Sequence, residues 1–216
     1  MKKILYILLI IITVSLIGFF GVKTYKKMAK ANAPIEINGS YFDSPRLISP
    51  FSLKRTSGIN FDDTDFMNHW TIVFFGYTRC PDICPATLTM LDKVYSSLKK
   101  DPKFDNESLP EVVFISVDSN RDDLEQLKDF TNRFNKNFIG ITGEQSQIAT
   151  LAKNLGVVYH KLSVGDDPEN FLFDHSSTLY AINPRGELQA IFTAPHKFNE
   201  ISDQYKKIVK KYKLFS

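Results

Sequence analysis

The chain has 216 residues, 43% of them hydrophobic and 24% charged, and a formal net charge of +3. That length and apolar content suffice for one globular domain plus an extra segment and exclude a disordered chain. Much of the small basic excess flanks an N-terminal apolar run, so no nucleic acid is expected as a partner.

In chain order, Ile4 to Val22 is an apolar run interrupted only by Tyr6, Thr13, Ser15 and two glycines, with Lys2 and Lys3 before it and Lys23, Lys26 and Lys27 after it. About 20 helical residues cross a hydrocarbon core, whereas a cleavable signal core is about 7–15 residues long. Residues 1–27 are therefore expected to form a single N-terminal transmembrane helix that stays as a membrane anchor. Ala29, Ala31 and Ala33 imitate a cleavage site, but Pro34 follows the last of them. The flanking lysines favour a cytosolic domain, because more of them follow the run than precede it. A lysine-led apolar segment at the N-terminus is also how an exported protein begins, and the domain is expected on the extracytoplasmic side.

Residues 28–50, rich in small residues, Asn, Gly, Ser and Pro, read as a linker. The domain itself is expected over 51–216. Thr71 to Tyr77 is a β-branched and aromatic run typical of a strand buried on both faces. Pro85 to Leu98 has helical spacing at Leu88, Leu91, Val94, Tyr95 and Leu98, with Pro85 in the first turn. Val112 to Val117 repeats the strand pattern and Asp122 to Phe134 the helical one. Strand, helix, strand, helix implies an α/β fold with a mainly parallel core sheet flanked by helices. Further on, Phe138 to Ile141 reads as a strand, Ser146 to Leu155 as a helix and Val157 to Leu162 as an alternating strand. Asn183-Pro184-Arg185-Gly186 predicts a C-terminal β-hairpin, and Asn199 to Tyr212 a closing basic amphipathic helix. Its lysines read first as a solvated face.

The only two cysteines lie in Cys80-Pro81-Asp82-Ile83-Cys84-Pro85, where the first buried strand hands over to a helix. The helix dipole and free N–H groups there favour thiolate, the form that binds metals and attacks disulfides. Four-residue spacing brings both sulfurs to one side of a helical turn, able to clasp one ion or to join as a disulfide. A thioredoxin-type reductase normally has two intervening residues, and the third one here makes metal capture the stronger expectation. Two thiolates are soft ligands that suit Cu(I) and also Zn, and a third ligand completes a trigonal copper site. Among His69, His160, His175 and His196, the best placed is His175, in a polar break before Thr178 to Ile182 where a loop can bring it over the cysteine helix. An inert cysteine pair is the bland reading, and the two prolines and the strand–helix junction speak against it. Asp82 and Asp174 read as turn caps or charge tuners, Asp118 with Arg121 as a surface ion pair, and Tyr77 as a core residue beside the site.

The run Phe75 to Pro85, Ser116-Val117-Asp118 followed by Arg121-Asp122, Thr142-Gly143 and Asp174-His175-Ser176 together resemble the Sco/SenC family over roughly Phe51 to Phe198. The resemblance implies a thioredoxin-like fold and copper, as Cu(I) or Cu(II), held by Cys80, Cys84 and His175. It further implies a copper metallochaperone that passes metal or reducing power to the CuA site of cytochrome c oxidase subunit II. The competing reading is an enzyme, a thiol–disulfide oxidoreductase with Cys80 and Cys84 as catalytic residues; a peroxiredoxin-like peroxidase is a third. The chain departs from the family at Ser119, where proline is frequent, and at His69 and Trp70, where a Gly-Lys turn is usual.

Overall fold

The computed structural model describes residues 2–31, 34–163 and 171–215, and of residues 2–5, 7–10, 27, 30, 31, 171, 174, 175 and 215 the backbone alone. In chain order its elements are helix α1 (Lys2–Ala31), strands β1 (Gly39–Leu47), β2 (Ser52–Arg55), β3 (Asn60–Asp62) and β4 (Thr71–Gly76), helix α2 (Ile83–Lys100), β5 (Glu111–Ser116), α3 (Leu124–Asn132), β6 (Ile139–Thr142), α4 (Gln145–Leu155), β7 (Tyr159–Ser163), β8 (Phe171–His175), β9 (Leu179–Ile182), β10 (Glu187–Phe192) and α5 (Phe198–Phe215). The chain divides into two compact units, Met1–Ile35 with Lys206–Ser216, and Glu36–Tyr205. In the first, α1 continues past residue 27 to Ala31. Among the described residues no helix is long and apolar enough to cross a membrane, so the expected anchor rests on the apolar run in the sequence.

The second unit is built on an eight-stranded sheet of order β1-β10-β9-β4-β5-β6-β2-β3. Its centre, β4, is buried at every position and pairs in parallel with β5, from Thr71 opposite Glu111 to Gly76 opposite Ser116. β5 pairs in parallel with β6. All other neighbours in this sheet are antiparallel, so it is mixed, and the expectation of a mainly parallel sheet holds only for these three strands. The reason is connectivity: helical crossovers through α2 and α3 force parallel neighbours, while hairpins and edge additions supply the rest.

The supposed linker contains β1, which pairs with β10 on one edge of the sheet. It lacks strand periodicity because its register shifts between Tyr41 and Arg46, and Pro45 is tolerated on an edge. Gly39, at φ +140°, lies so close to the carbonyl of Ile191 that a β-carbon has no room. The sequence also hid β2 and β3, short strands on the opposite edge, whose apolar anchor is the ring cluster of Phe51, Phe61 and Phe66 at centroid distances of 5.3–5.8 Å. The predicted hairpin is present as β9 and β10: the Gly186 amide donates to the Asn183 carbonyl at 2.9 Å, and Gly186 takes φ +75°.

Helices flank the sheet through aromatic contacts. Phe130 of α3 meets Phe114 of β5 at 5.5 Å, and Tyr205 of α5 meets Trp70 at 5.8 Å while its hydroxyl donates to the Ser108 carbonyl at 2.8 Å. α2 buries Leu88, Leu91, Val94 and Leu98, the stripe that its spacing predicted.

At the start of β4, His69 sits with Nε2 3.4 Å from Glu111 Oε2 and Nδ1 2.9 Å from the Met67 carbonyl, while Arg55 lies 3.7 Å from the other Glu111 oxygen. Interaction with Glu111 holds the imidazole pKa above its ordinary value of 6.5, burial and Arg55 opposing. A pKa raised on folding contributes stability that is full below the unfolded value and lost as pH rises through the folded one. Urea unfolding of the full chain and of His69→Gln should therefore differ most below about pH 6.5 and converge at higher pH; a pH-independent difference would remove the Glu111 pairing.

Candidate metal centre

β4 ends at Gly76, and seven residues later α2 begins, two residues earlier than its apolar spacing suggested. Pro85 is thus the third helical residue, where a missing N–H is still harmless. Asp82 holds the N-cap position but its side chain makes no capping hydrogen bond, so it does not act as the expected cap. A cysteine takes that place: the Cys84 amide donates to Cys80 Sγ at 3.4 Å. Neither cysteine is in a disulfide; Cys84 is completely buried and Cys80 9% exposed.

The Cys84 thiol lies well above its ordinary range, first through its hydrogen bond to Cys80, then through burial and the charge of Cys80. For Cys84 the expected lowering by the helix start is overturned. A helix terminus is worth about 0.3–1 kcal/mol at an exposed position, too little to outweigh desolvation beside a second sulfur. Burial and the neighbouring sulfur thus favour the protonated Cys84 thiol, and a bound cation favours the opposite state.

Gly76 makes the close seating possible. A β-carbon there would stand 2.6 Å from Cys84 Sγ and 2.6 Å from Phe114 Cε2. The cysteine turn is fixed from below by Asp122, buried between β5 and α3. Its carboxylate accepts from the Thr78 amide at 2.8 Å, the Thr78 hydroxyl at 2.5 Å and the Ser116 hydroxyl at 2.6 Å. Sequence reasoning gave Asp122 no role of its own; its one signal was an acidic pair at a helix start, of which Asp123 is the cap, accepting from the Gln126 amide at 2.8 Å. Asp118 and Arg121, 2.6 Å apart, are not a surface pair, since their side chains are only 2% and 12% exposed. Burial raises the Asp118 carboxyl above its usual range, with Arg121 opposing.

The other wall of the site comes from a separate two-stranded ribbon of β7 and β8. Phe173 of β8 meets the buried Tyr77 ring at 5.5 Å and Tyr159 of β7 at 6.1 Å. Tyr77, Cys80, Pro81, Ile83, Leu172 and Phe173 line a pocket of about 270 Å³. His175 is the last residue of β8, its backbone opposite Tyr159, so the expected loop position is corrected to a strand end. Its side chain and that of Asp174 lie outside the described residues. His160 stands in β7 opposite Asp174, and His69 lies at the other end of β4 from the cysteines. His196, between β10 and α5, has Nε2 2.5 Å from the Ser177 carbonyl. Ser119 donates to Gln145 at 3.0 Å and Gln145 to the Tyr159 hydroxyl at 2.9 Å, linking the turn after β5 to the ribbon. Among the described residues no group of three or more His, Cys, Asp and Glu side chains is arranged to hold a metal; the two cysteines are brought together.

A thioredoxin-like α/β domain with two cysteines one helical turn apart at a strand–helix junction defines a class built for thiol and soft-metal chemistry. The family model SCO1/SenC matches residues 40–210, and the chain belongs to that family. It is 32% identical over 164 residues to the mitochondrial protein SCO1 homolog 1 of Arabidopsis thaliana, a match covering 76% of this chain and 47% of that protein. A SCO2-like protein of Rickettsia prowazekii is 32% identical over 166 residues, 77% of this chain and 78% of that one. The crystal structure of Arabidopsis thaliana ScoI with copper bound superimposes with a TM-score of 0.69 at 32% identity, covering 76% of this chain and 99% of that one.

Replacing Gly76 with Ala drives a methyl group into Cys84 Sγ and Phe114. The variant should lose about 1–3 kcal/mol in urea unfolding, the range for overpacking a tight interior; full stability would mean that Cys84 is seated elsewhere.

Proposed function

We propose that this chain is a copper metallochaperone for assembly of the CuA centre of cytochrome c oxidase, holding copper through Cys80, Cys84 and His175. The observation that carries the reading is the convergence of Cys84 on the Cys80 sulfur within one helical turn, 3.4 Å from amide to sulfur, beside a pocket. Two thiolates suit a soft cation, and an imidazole completes a three-ligand set for copper. His175 lies two residues along β8 from Phe173, roughly 7 Å of strand, and Phe173 lines the same pocket as Cys80. Because the Cys84 thiol holds its proton tightly without metal, copper uptake expels that proton and strengthens as pH rises. Cys80, the less buried sulfur, is where an incoming ligand of a receiving protein first meets the metal. By the family resemblance that receiver is oxidase subunit II.

In this reading α1 anchors the chain in a membrane, with the domain on the extracytoplasmic side. Support comes from the apolar run Ile4 to Val22 in the sequence. Resistance of the full chain to alkaline extraction, together with a C-terminal reporter active only after export, tests both points.

A second reading is favoured by the same contact. Two neighbouring cysteines outside any disulfide at a helix start also suit disulfide exchange, keeping the cysteines of subunit II reduced.

Copper titration of the full chain in detergent separates the readings. One copper per chain is expected, with Cys84→Ser weakening Cu(I) binding by more than about 100-fold, beyond the 10–100-fold typical of outer partners, and His175→Ala altering the Cu(II) spectrum. A wild-type chain that takes up no copper yet traps a mixed disulfide would leave the oxidoreductase reading standing alone.

A further inference from the structure

The segment Ser176 to Thr178 joins the last residue of β8 to the first of β9 and belongs to neither strand. Its backbone groups therefore need partners outside the sheet ladders. Its course also decides where the end of β8 lies. Two side chains hold it. Tyr180 is buried, and its hydroxyl interacts with the Thr178 and Ser176 side chains. The ring of His196 reaches the Ser177 carbonyl, with Nε2 at 2.5 Å.

The chemistry of that second contact is defined by its acceptor. A carbonyl oxygen only accepts, so the imidazole carries its hydrogen on Nε2 and donates it. Nδ1 is buried and has no hydrogen-bond partner among the described residues. A ring retained only to fill space leaves no such orphan if it is apolar; the imidazole's distinct contribution here is the Nε2–H. The same ring lines a pocket of about 250 Å³ with Asp82, Ile83, Ala86, Thr87 and Met90, the first turns of α2. Cys84 belongs to that helix start. One side chain thus links the backbone two residues beyond His175 to the connection between β10 and α5, and faces the cysteine helix across that cavity.

We infer that His196 is a positioning residue: it ties the segment that follows the strand end presenting His175 to the connection between β10 and α5. The inference rests on the reading of His175 as a copper ligand. It assigns His196 no contact with the metal and no change of protonation; the ring acts through the Ser177 carbonyl alone. Half-burial of His196 keeps water from replacing it freely at that carbonyl.

The test uses the full chain with His196→Ala and His196→Gln, the glutamine amide nitrogen reproducing the Nε2 donor. In copper-free protein, backbone amides of residues 171–178 should exchange hydrogen severalfold faster in His196→Ala and near the wild-type rate in His196→Gln. With copper, His196→Ala should weaken Cu(II) binding by about 10-fold, the lower end for groups that orient a ligand, and shift the Cu(II) spectrum. Cu(I) affinity, carried by the sulfurs, should stay within about 2-fold, since ligand softness favours thiolate. Glutamine should restore both Cu(II) readouts. Unchanged exchange in His196→Ala overturns the tether, and an unchanged Cu(II) spectrum overturns its role in positioning. A wild-type chain that binds no copper sinks the reading of the site, and the exchange measurement then decides the tether by itself.

Discussion

Two sulfur atoms drawn together at a helix start, one from the loop before it and one in its first turn and wholly out of water, are the constraint on which the site depends. A charge on Cys84 is poorly hydrated, so its thiol is raised above the ordinary range by the neighbouring Cys80 and by burial. Everything around the pair serves that confinement. Gly76 removes the one side chain that would hold the sulfur off the strand, and Asp122 fixes the turn through Thr78. Asp122 is itself placed by Ser116, at the end of the strand paired with β4. The geometry of the thiols is therefore inherited from the parallel register of β4 and β5.

That inheritance explains which features were legible in the sequence. β4 and β5 announce themselves as continuous apolar runs because both faces are covered, and the Cys-Pro-Asp-Ile-Cys-Pro signature sits where one of them ends. The pairing of the thiols follows from spacing alone. Asp122 did not stand out, since an aspartate before a helix is ordinarily a cap; only the fold shows that Asp123 caps while its neighbour turns inward. β1 was invisible for a similar reason. A bulged edge strand containing proline carries no alternation, and its place is set by β10, some 150 residues away in the chain. Likewise the mainly parallel sheet was a fair inference from alternating elements, but periodicity does not say which strands become neighbours.

The histidine side of the site followed another logic. Asp174-His175-Ser176 read as a polar loop because polar residues interrupt aromatic ones, yet Phe171 to His175 form a strand. The strand exists because β7 supplies its partner and Phe173 finds Tyr77 and Tyr159. Ser119 also reaches this ribbon, through Gln145 and Tyr159.

The proposed ligands thus sit on supports of different kinds. Cys80 and Cys84 follow β4, held by backbone ladders on both sides. His175 ends a ribbon that forms its own two-stranded sheet, paired within itself and not with the eight-stranded one. Among the described residues the ribbon meets the domain through side chains, Phe173 on Tyr77 and Tyr159 through Gln145 to Ser119. Moving such a ribbon costs side-chain contacts, each of about 0.5–1.5 kcal/mol, whereas moving the cysteine turn would break the sheet. A site that must both grip a cation and surrender it gains from that asymmetry: the sulfurs supply a fixed seat, and the third ligand rides on the part that yields first.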